Sequence, residues 1–550
     1  VSARARRAIV SLAAGMLCVG ALTGVRGIHG APALAADAVP AASLPIAFVP
    51  LDDRPVTYQL PIMLGRIAGQ PVVTPPHQTI GTYLRPGDPE ALAHWLDGNA
   101  TRRISALVAS TDMIAYGGLV ASRIPGVSAT EAIGRLRALA ALQADRAIPF
   151  VGVFGTIMRL APTGVPRLGL ASDYYATGRT VDDLQAYANL PDPPVRPADV
   201  ARAAHLRALI GPATLGAYLE TRARNRDVDR WALWFAGQGG YDRIVIGQDD
   251  AGPQGLHIKD VAALEREANL FVGSRASIEP GADELGMVML ARVFARNASW
   301  KPTVSVAYSR ADGGATVDHL EYVPIDTTIG EIIRACGASR VPSGGDIRLY
   351  VRVAETSDAD ETAFEDRLAS DAGAGASVAV ADLTFLHGGP GSEQRELTDA
   401  LIARGIAGKI DAFASWNTDA NTIGTALPEA IAAGAGRRTG TYDRRAHENF
   451  LLDRYIDDYA FHQFVRPELD ETLRARGIDT TLLLPDIAVK ASHDDRAALW
   501  PYALDLLGRI FPDERDDGMT ITLPWDRTFE TKIDVRLGTP PARPPDDTAK

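Results

Sequence analysis

The chain has 550 residues, of which 46% are hydrophobic and 23% charged, with a formal net charge of −12. That length exceeds what one hydrophobic core usually serves, so two or three domains are expected. The acidic balance disfavours nucleic acid as a partner, because affinity there rests on Lys and Arg neutralising phosphates.

Taken in chain order, Arg4, Arg6 and Arg7 precede an apolar run from Ala8 to about Val25, and Ala33-Leu34-Ala35 is a small-residue cleavage site. This reads as a secretory signal peptide over 1–35, which makes the mature protein secreted, with an uncleaved anchor as the alternative. Cys18 lies within the leader, and Gly15-Met16-Leu17 before it does not suit lipidation. Only Cys336 then remains, so the core must hold without an internal disulfide. No membrane span is expected in the mature chain.

From Leu44 onward, short Val/Ile-rich runs alternate with amphipathic stretches. The expected strands are Ile46–Val49, Val72–Thr74, Ile104–Ala109, Phe150–Phe154, Ile244–Ile246, Asn269–Val272 and Thr303–Ala307. The expected helices between them are Tyr58–Ile67, Pro89–Leu96, Thr130–Ala144, Lys259–Glu267 and Asp283–Arg296. Continuous apolar strands separated by helices imply an α/β fold with a parallel-sheet body, barrel-like or doubly wound. A Pro/Gly-rich excursion, 161–199, leads into a helical stretch ending near Gly237. Excursions of that length between strands are lids or surface insertions. The pattern restarts near Leu320 as a smaller α/β unit, with strands Arg348–Val353, Ser377–Ala381 and Asp411–Ala414. A helical region follows, with Phe450, Tyr455, Tyr459, Phe461 and Phe464 at core spacing. The organisation expected is 44–318, 319–440 and 441–538, with a disordered tail over 539–550.

Chemistry-bearing segments recur at the expected strand ends, where residues distant in sequence can meet in one cleft. PLDDRP (Pro50–Pro55) places Asp52 and Asp53 side by side. In an extended segment the two point to opposite sides, so one is expected in the cleft and the other on Arg54 or in a helix cap. Arg54 can clamp a carboxylate. Asp112 follows the third strand, with Tyr116, Gly117 and Gly118 just after it. The glycines allow close backbone approach to a ligand, or merely a turn. GQDDAGPQG (Gly247–Gly255) sets Asp249 and Asp250 on a strand lip. Adjacent carboxylates there can divide labour, one charged and one kept protonated, although Asp is also a common turn residue. Asp283 and Glu284 in PGADE open a helix, where the dipole alone would favour acids. Trp416, Asn417 and Asn421 in SWNTDANTIG join amides to one large ring, a set that suits a polyhydroxylated ligand or an Asx-turn. HGGPGS (His387–Ser392) lacks the phosphate-loop Lys-Ser/Thr and is read as an ordinary turn. There is no H-E-x-x-H, G-x-S-x-G or cysteine cluster, so no histidine- or cysteine-based metal site and no cofactor is expected, while a site of oxygen ligands for Ca²⁺ or Mg²⁺ from the Asp cluster stays open.

Taken together and in this order, PLDDRP, Asp112 with YGGL, QDDAGPQG, the PGADE helix start and SWNTDANTIG resemble the recurring segments of a bacterial family known as domain of unknown function 4127. The resemblance covers Ile46 to Gly424 and beyond. It implies that the segments form one site and carries no reaction with it. From the residues themselves, the expectation is a glycoside hydrolase acting on a glycan or small polar substrate. Asp249, Asp250 and Asp112 would be catalytic. Asp53, Arg54, Tyr116, Gly117, Gly118, Asp283, Glu284, Trp416, Asn417 and Asn421 would bind substrate. A divalent-metal hydrolase of phosphoester or amide bonds and a non-enzymatic sugar-binding protein are the alternatives.

Overall fold

A computed structural model describes residues 44–100, 103–146, 148–162, 178–385 and 394–538. The leader, the tail over 539–550, the HGGPGS turn and the 163–177 part of the excursion lie outside the described residues.

Eleven parallel strands make two open sheets. The first contains β1 (Ile46–Val49), β2 (Val72–Val73), β3 (Ala106–Ser110), β4 (Val151–Ile157), β5 (Arg243–Gln248) and β6 (Ala276–Pro280), in the order β2-β1-β3-β4-β5-β6. The second contains β7 (Thr303–Tyr308), β8 (Ser339–Arg340), β9 (Ile347–Arg352), β10 (Val378–Asp382) and β11 (Ala412–Ala414), in the order β11-β10-β9-β7-β8. β2 and β6 are edges of the first sheet, so its strands do not close into a ring. Both sheets follow one winding rule: the first strand sits between the second and the third. Each therefore reverses direction beside its own first strand, the place where open α/β sheets form a ligand crevice at their carboxyl ends.

Alternation along the strands builds three cores. Ile46 and Phe48 of β1 enter a central cluster, whereas Ala47 and Val49 enter a cluster on the other face. In β9 and β10, Leu349, Val351, Ala379 and Ala381 also join the central cluster, and Tyr350, Val378 and Val380 point away from it. The central layer between the sheets is helical and includes Leu60–Ala68, Leu285–Asn297 and Asp419–Thr439. Asp419–Thr439 is buried on nearly every side, as a helix packed between two sheets must be. Each large apolar side chain sealed there contributes about 1.5–3 kcal/mol relative to exposure. Phe450, Tyr455, Tyr459 and Phe461 are buried as their spacing implied, and Phe464 packs at the edge of the same core. No helix among the described residues is long and apolar enough to cross a membrane.

One expected strand is corrected. Asn269–Val272 is the end of the helix His257–Phe271, and the strand beside β5 is Ala276–Pro280. The run Asn-Leu-Phe-Val looked buried, yet Leu270 is 76% exposed. The true strand escaped notice because it carries Ser277 and Glu279, which are buried despite their polarity. The β8 strand, two residues long, gave no apolar signal at all.

Candidate active site

The crevice between the carboxyl ends of β1 and β3 receives PLDDR and Asp112. Asp52 and Asp53 diverge, as adjacent extended residues do. Asp52 turns inward, where Arg54 Nη2 donates to Oδ2 at 2.8 Å, Arg54 Nε donates to Oδ1 at 3.0 Å and Thr57 Oγ1 donates to Oδ1 at 2.5 Å. Asp53 turns to the rim, where Trp525 Nε1 donates to it at 2.7 Å and His77 Nε2 lies 3.2 Å away. Burial pushes the Asp53 carboxyl up, against the Trp525 hydrogen bond. The backbone immediately after Arg54 forms a π-helical turn, Pro55–Gln59, before the Leu60–Ala68 helix begins.

Arg54 is the hinge of the site. Its Nη1 and Nη2 reach Asp283 Oδ2 and Oδ1 at 2.8 and 2.6 Å, so one guanidinium holds acids from the ends of β1 and β6. Burial works against its charge, but Asp283 and Asp52 outweigh burial and hold the proton firmly. Glu284, next to Asp283, is sealed from solvent, accepts from Asn421 Nδ2 at 2.5 Å and from Ala282 N at 3.1 Å, and has one oxygen unpartnered. Burial pushes its carboxyl far up. Asn417 Nδ2 in turn donates to Asn421 Oδ1 at 2.6 Å, from a backbone φ of 50° that Asn tolerates better than most residues. Trp416 is buried, and its Nε1 donates to Thr425 Oγ1 at 3.1 Å. One ring edge lines a small pocket shared with Arg54, Arg454, Asp457 and His462.

Three strands bring the remaining acids together. Asp112 accepts from Thr156 N, just inside the end of β4, at 2.9 Å. Burial and the nearby Asp249 raise its carboxyl to about 7, against the Thr156 hydrogen bond and Arg123. Asp249 is buried and ion-paired with Arg123. Asp250 is different: its side chain is 31% exposed and its nearest cation is Arg159 Nη1 at 3.9 Å. Enclosure raises it to about 6, with Asp249 and Asp283 adding to the rise and Arg159 and Arg123 opposing it. The segment Asp318–Glu321 closes this side, with Ala251 N donating to Leu320 O at 3.3 Å and Ala420 N donating to Glu321 Oε1 at 3.0 Å.

The structure thus joins Asp52, Asp53, Arg54, Asp112, Asp249, Asp250, Asp283, Glu284, Trp416, Asn417 and Asn421 through direct contacts or shared electrostatics. Tyr116, Gly117 and Gly118 adjoin this set without a side-chain hydrogen bond to it: Gly118 N donates to Asp112 O at 3.2 Å, and Tyr116 interacts electrostatically with Asp112. Tyr116 is 5% exposed with Arg224 stacked over its ring at 4.5 Å. Gly117 and Gly118 have φ of 91° and 123°, and a side chain at Gly117 would run into Gly87 and Pro86. Their freedom serves packing of the 81–87 loop. Sequence reasoning also passed over His77, Arg159, Trp525 and Arg527. None sits at the end of an expected strand beside an acid. Trp525 and Arg527 come from the link between two short strands, Thr520–Thr522 and Lys532–Asp534. There Trp525 stacks on Tyr83 at 4.8 Å and Arg527 lies over the Trp525 ring at 4.5 Å. Tryptophan and arginine packed into that short link were the available signal.

Among the described residues, no group of three or more His, Cys, Asp or Glu side chains is placed to hold a metal ion. A search of curated proteins and of solved structures found no match. A family model described as "Protein of unknown function (DUF4127)" matches residues 46–534. That span takes in both sheets, the acid crevice and the Trp525 loop, and on it the chain belongs to the DUF4127 family.

Proposed function

We propose that the protein is an exported carbohydrate-active hydrolase that cleaves a glycosidic bond at the carboxyl ends of β1, β5 and β6. Asp250 acts as the proton donor and acceptor. Asp249 and Asp283, ion-paired with Arg123 and Arg54, supply the negative charge that steadies an oxocarbenium-like transition state. Asn417 and Asn421 offer the amide groups that satisfy sugar hydroxyls, and Asp53 with His77 lies at the rim.

The contrast between Asp250 and its neighbours carries this reading. Asp52, Asp249 and Asp283 are each locked to a guanidinium, whereas Asp250 is open to a substrate and raised to about 6. Carboxyls whose environments push their protonation apart are what general acid–base cleavage requires. The leader-like sequence before residue 44 supports export.

The test is turnover of aryl glycosides and cell-wall polymers by the purified protein. Asp250→Asn is expected to cut kcat by about 10²–10⁴-fold. Full activity in both Asp250→Asn and Asp249→Asn overturns the assignment. Binding of glycans without any cleaved product would make the protein a binding module instead.

A further inference from the structure

Among the described residues, Arg54, Arg123, Arg159 and Arg527 stand around the acids, and three of them are already committed. Arg54 is forked onto Asp52 and Asp283. Arg123 is ion-paired with Asp249. Arg527 donates to both oxygens of Glu530, at 2.8 and 2.9 Å. Arg159 alone has no such partner. Its Nε donates to Ala161 O at 3.1 Å, which fixes the plane of the guanidinium. Its Nη atoms have only Asp250 Oδ2, at 3.9 Å, as a carboxylate within ion-pair distance among the described residues. That separation is too long for a hydrogen bond. The side chain is 27% exposed and its Nη1 lies beside Asp250, so the guanidinium is open to solvent next to an acid that is itself 31% exposed.

This head group sits where a cation is poorly tolerated. Enclosure and the charges of Arg123 and Arg527 pull its proton affinity down to about 10, against Asp249 and Asp250. Arg159 is held in such a place with no hydrogen bond to a carboxylate among the described residues, whereas Arg54, Arg123 and Arg527 each have one, and that difference points to a missing anion. Planar, two-pronged donation from Arg matches a carboxylate best.

We propose that Arg159 is a specificity-determining residue that binds a carboxylate carried by the substrate, adjacent to the bond served by Asp250. The substrate class is then an acidic glycan, with a sugar acid in the subsite formed by Arg159. This rests on the glycan-hydrolase reading of the same crevice. The subsite also explains how Asp250 can stay protonated beside a cation. Once the substrate carboxylate neutralises Arg159, the main local force opposing the Asp250 proton is cancelled.

The test is calorimetric binding of sodium D-glucuronate, D-glucose and inorganic phosphate to the wild-type protein, Arg159→Gln and Arg159→Lys, with circular dichroism verifying the fold of each. Glucuronate is expected to bind at least tenfold tighter than glucose. Arg159→Gln should erase that preference, and Arg159→Lys should keep part of it because the charge survives and the fork does not. Equal affinity for glucose and glucuronate overturns the proposal, as does an unchanged preference in a folded Arg159→Gln protein. Binding of phosphate but not glucuronate through Arg159 overturns the carboxylate assignment. No turnover enters the readout. Arg159-dependent glucuronate binding without glycoside cleavage would therefore sink the hydrolase reading alone, and cleavage of neutral glycosides with no glucuronate preference would sink the subsite alone.

Discussion

Arg54 and Asp283 stand 229 positions apart in the chain and face each other through two hydrogen bonds, at 2.8 and 2.6 Å. The pair ties the end of the first strand to the end of the sixth, and so fixes the width of the crevice across the three intervening strands. Arg54 also holds Asp52, so removing it strands two buried carboxylates at once. Arg54→Met is expected to cost about 3–5 kcal/mol, the usual penalty for breaking a buried ion pair from one side. Urea denaturation checks this, and a loss below about 1 kcal/mol would mean the pair does not brace the crevice.

Asp112 gives a pH signature to stability. Its carboxyl is raised to about 7 in the folded protein, against about 3.9 in an unfolded chain. The folded state therefore binds the proton more tightly. Its contribution is fully present below pH 4 and is lost as pH rises through 7. Asp112→Asn, which keeps an oxygen for Thr156 N, is expected to flatten the fall in stability between pH 4 and 7. It should leave the variant more stable than wild type at pH 8, by on the order of 2 kcal/mol. Parallel stability–pH curves for the two proteins would refute this.

Asp250 makes the corresponding prediction for rate. It faces Asp249 and Gln248 on its own strand end, Asp283 after β6, Arg123 after β3, Arg159 after β4 and Glu321 from the covering segment. A proton donor raised to about 6 must lose activity as pH climbs through that value. The alkaline limb of kcat/KM is expected near pH 6, and Arg159→Gln should move it upward because the opposing cation is gone. A limb that does not respond to Arg159 would place the essential acid elsewhere.

Gly424 lies in the buried Asp419–Thr439 helix directly against the Glu284 side chain, with a Cβ position 2.8 Å from Glu284 Cβ. Gly424→Ala gains helix propensity of about 1 kcal/mol. It would still force Glu284 off Asn421, and overpacking of that kind costs about 1–3 kcal/mol. The variant is expected to melt lower than wild type despite its better helix former. A melting temperature equal to or above wild type would show that Glu284 can move freely.

Trp525→Phe keeps the ring stacked on Tyr83 and deletes one hydrogen bond to Asp53, whose remaining partner, His77, is largely exposed. A loss of about 1–3 kcal/mol is expected for the stranded acceptor. The loss should shrink as the pH is lowered, because the Asp53 carboxyl, raised by burial, takes up its own proton. A penalty that does not change with pH would assign the effect to packing.

What could be read in advance follows from what leaves a pattern. β1, β3 and β5 are short, apolar and nearly continuous, and each ends in an acid, so both the strands and their tips were visible in the chain. β6 hides because its buried face carries Ser277 and Glu279, and polarity there reads as loop. The fork of Asp52 by Arg54 follows from spacing alone, since the two are two residues apart. Its second grip, on Asp283, depends on strand order, and no local pattern encodes which strands become neighbours. Arg159 and Trp525 were missed for a related reason: they are set by loops whose direction is decided by tertiary packing. Tyr116, marked in the sequence by the two glycines after it, is buried beneath Arg224 and beside Asp112.

The bond from Trp525 to Asp53 spans 472 positions, so the acid-bearing turn after β1 waits for a loop synthesised far later. Until that loop arrives, Asp53 has no indole donor. A chain halted between Ala414 and Trp525 contains every strand of both sheets but lacks the indole at the lip of the crevice. On the proposed hydrolase reading, folded fragments that lack Trp525 are expected to be inactive.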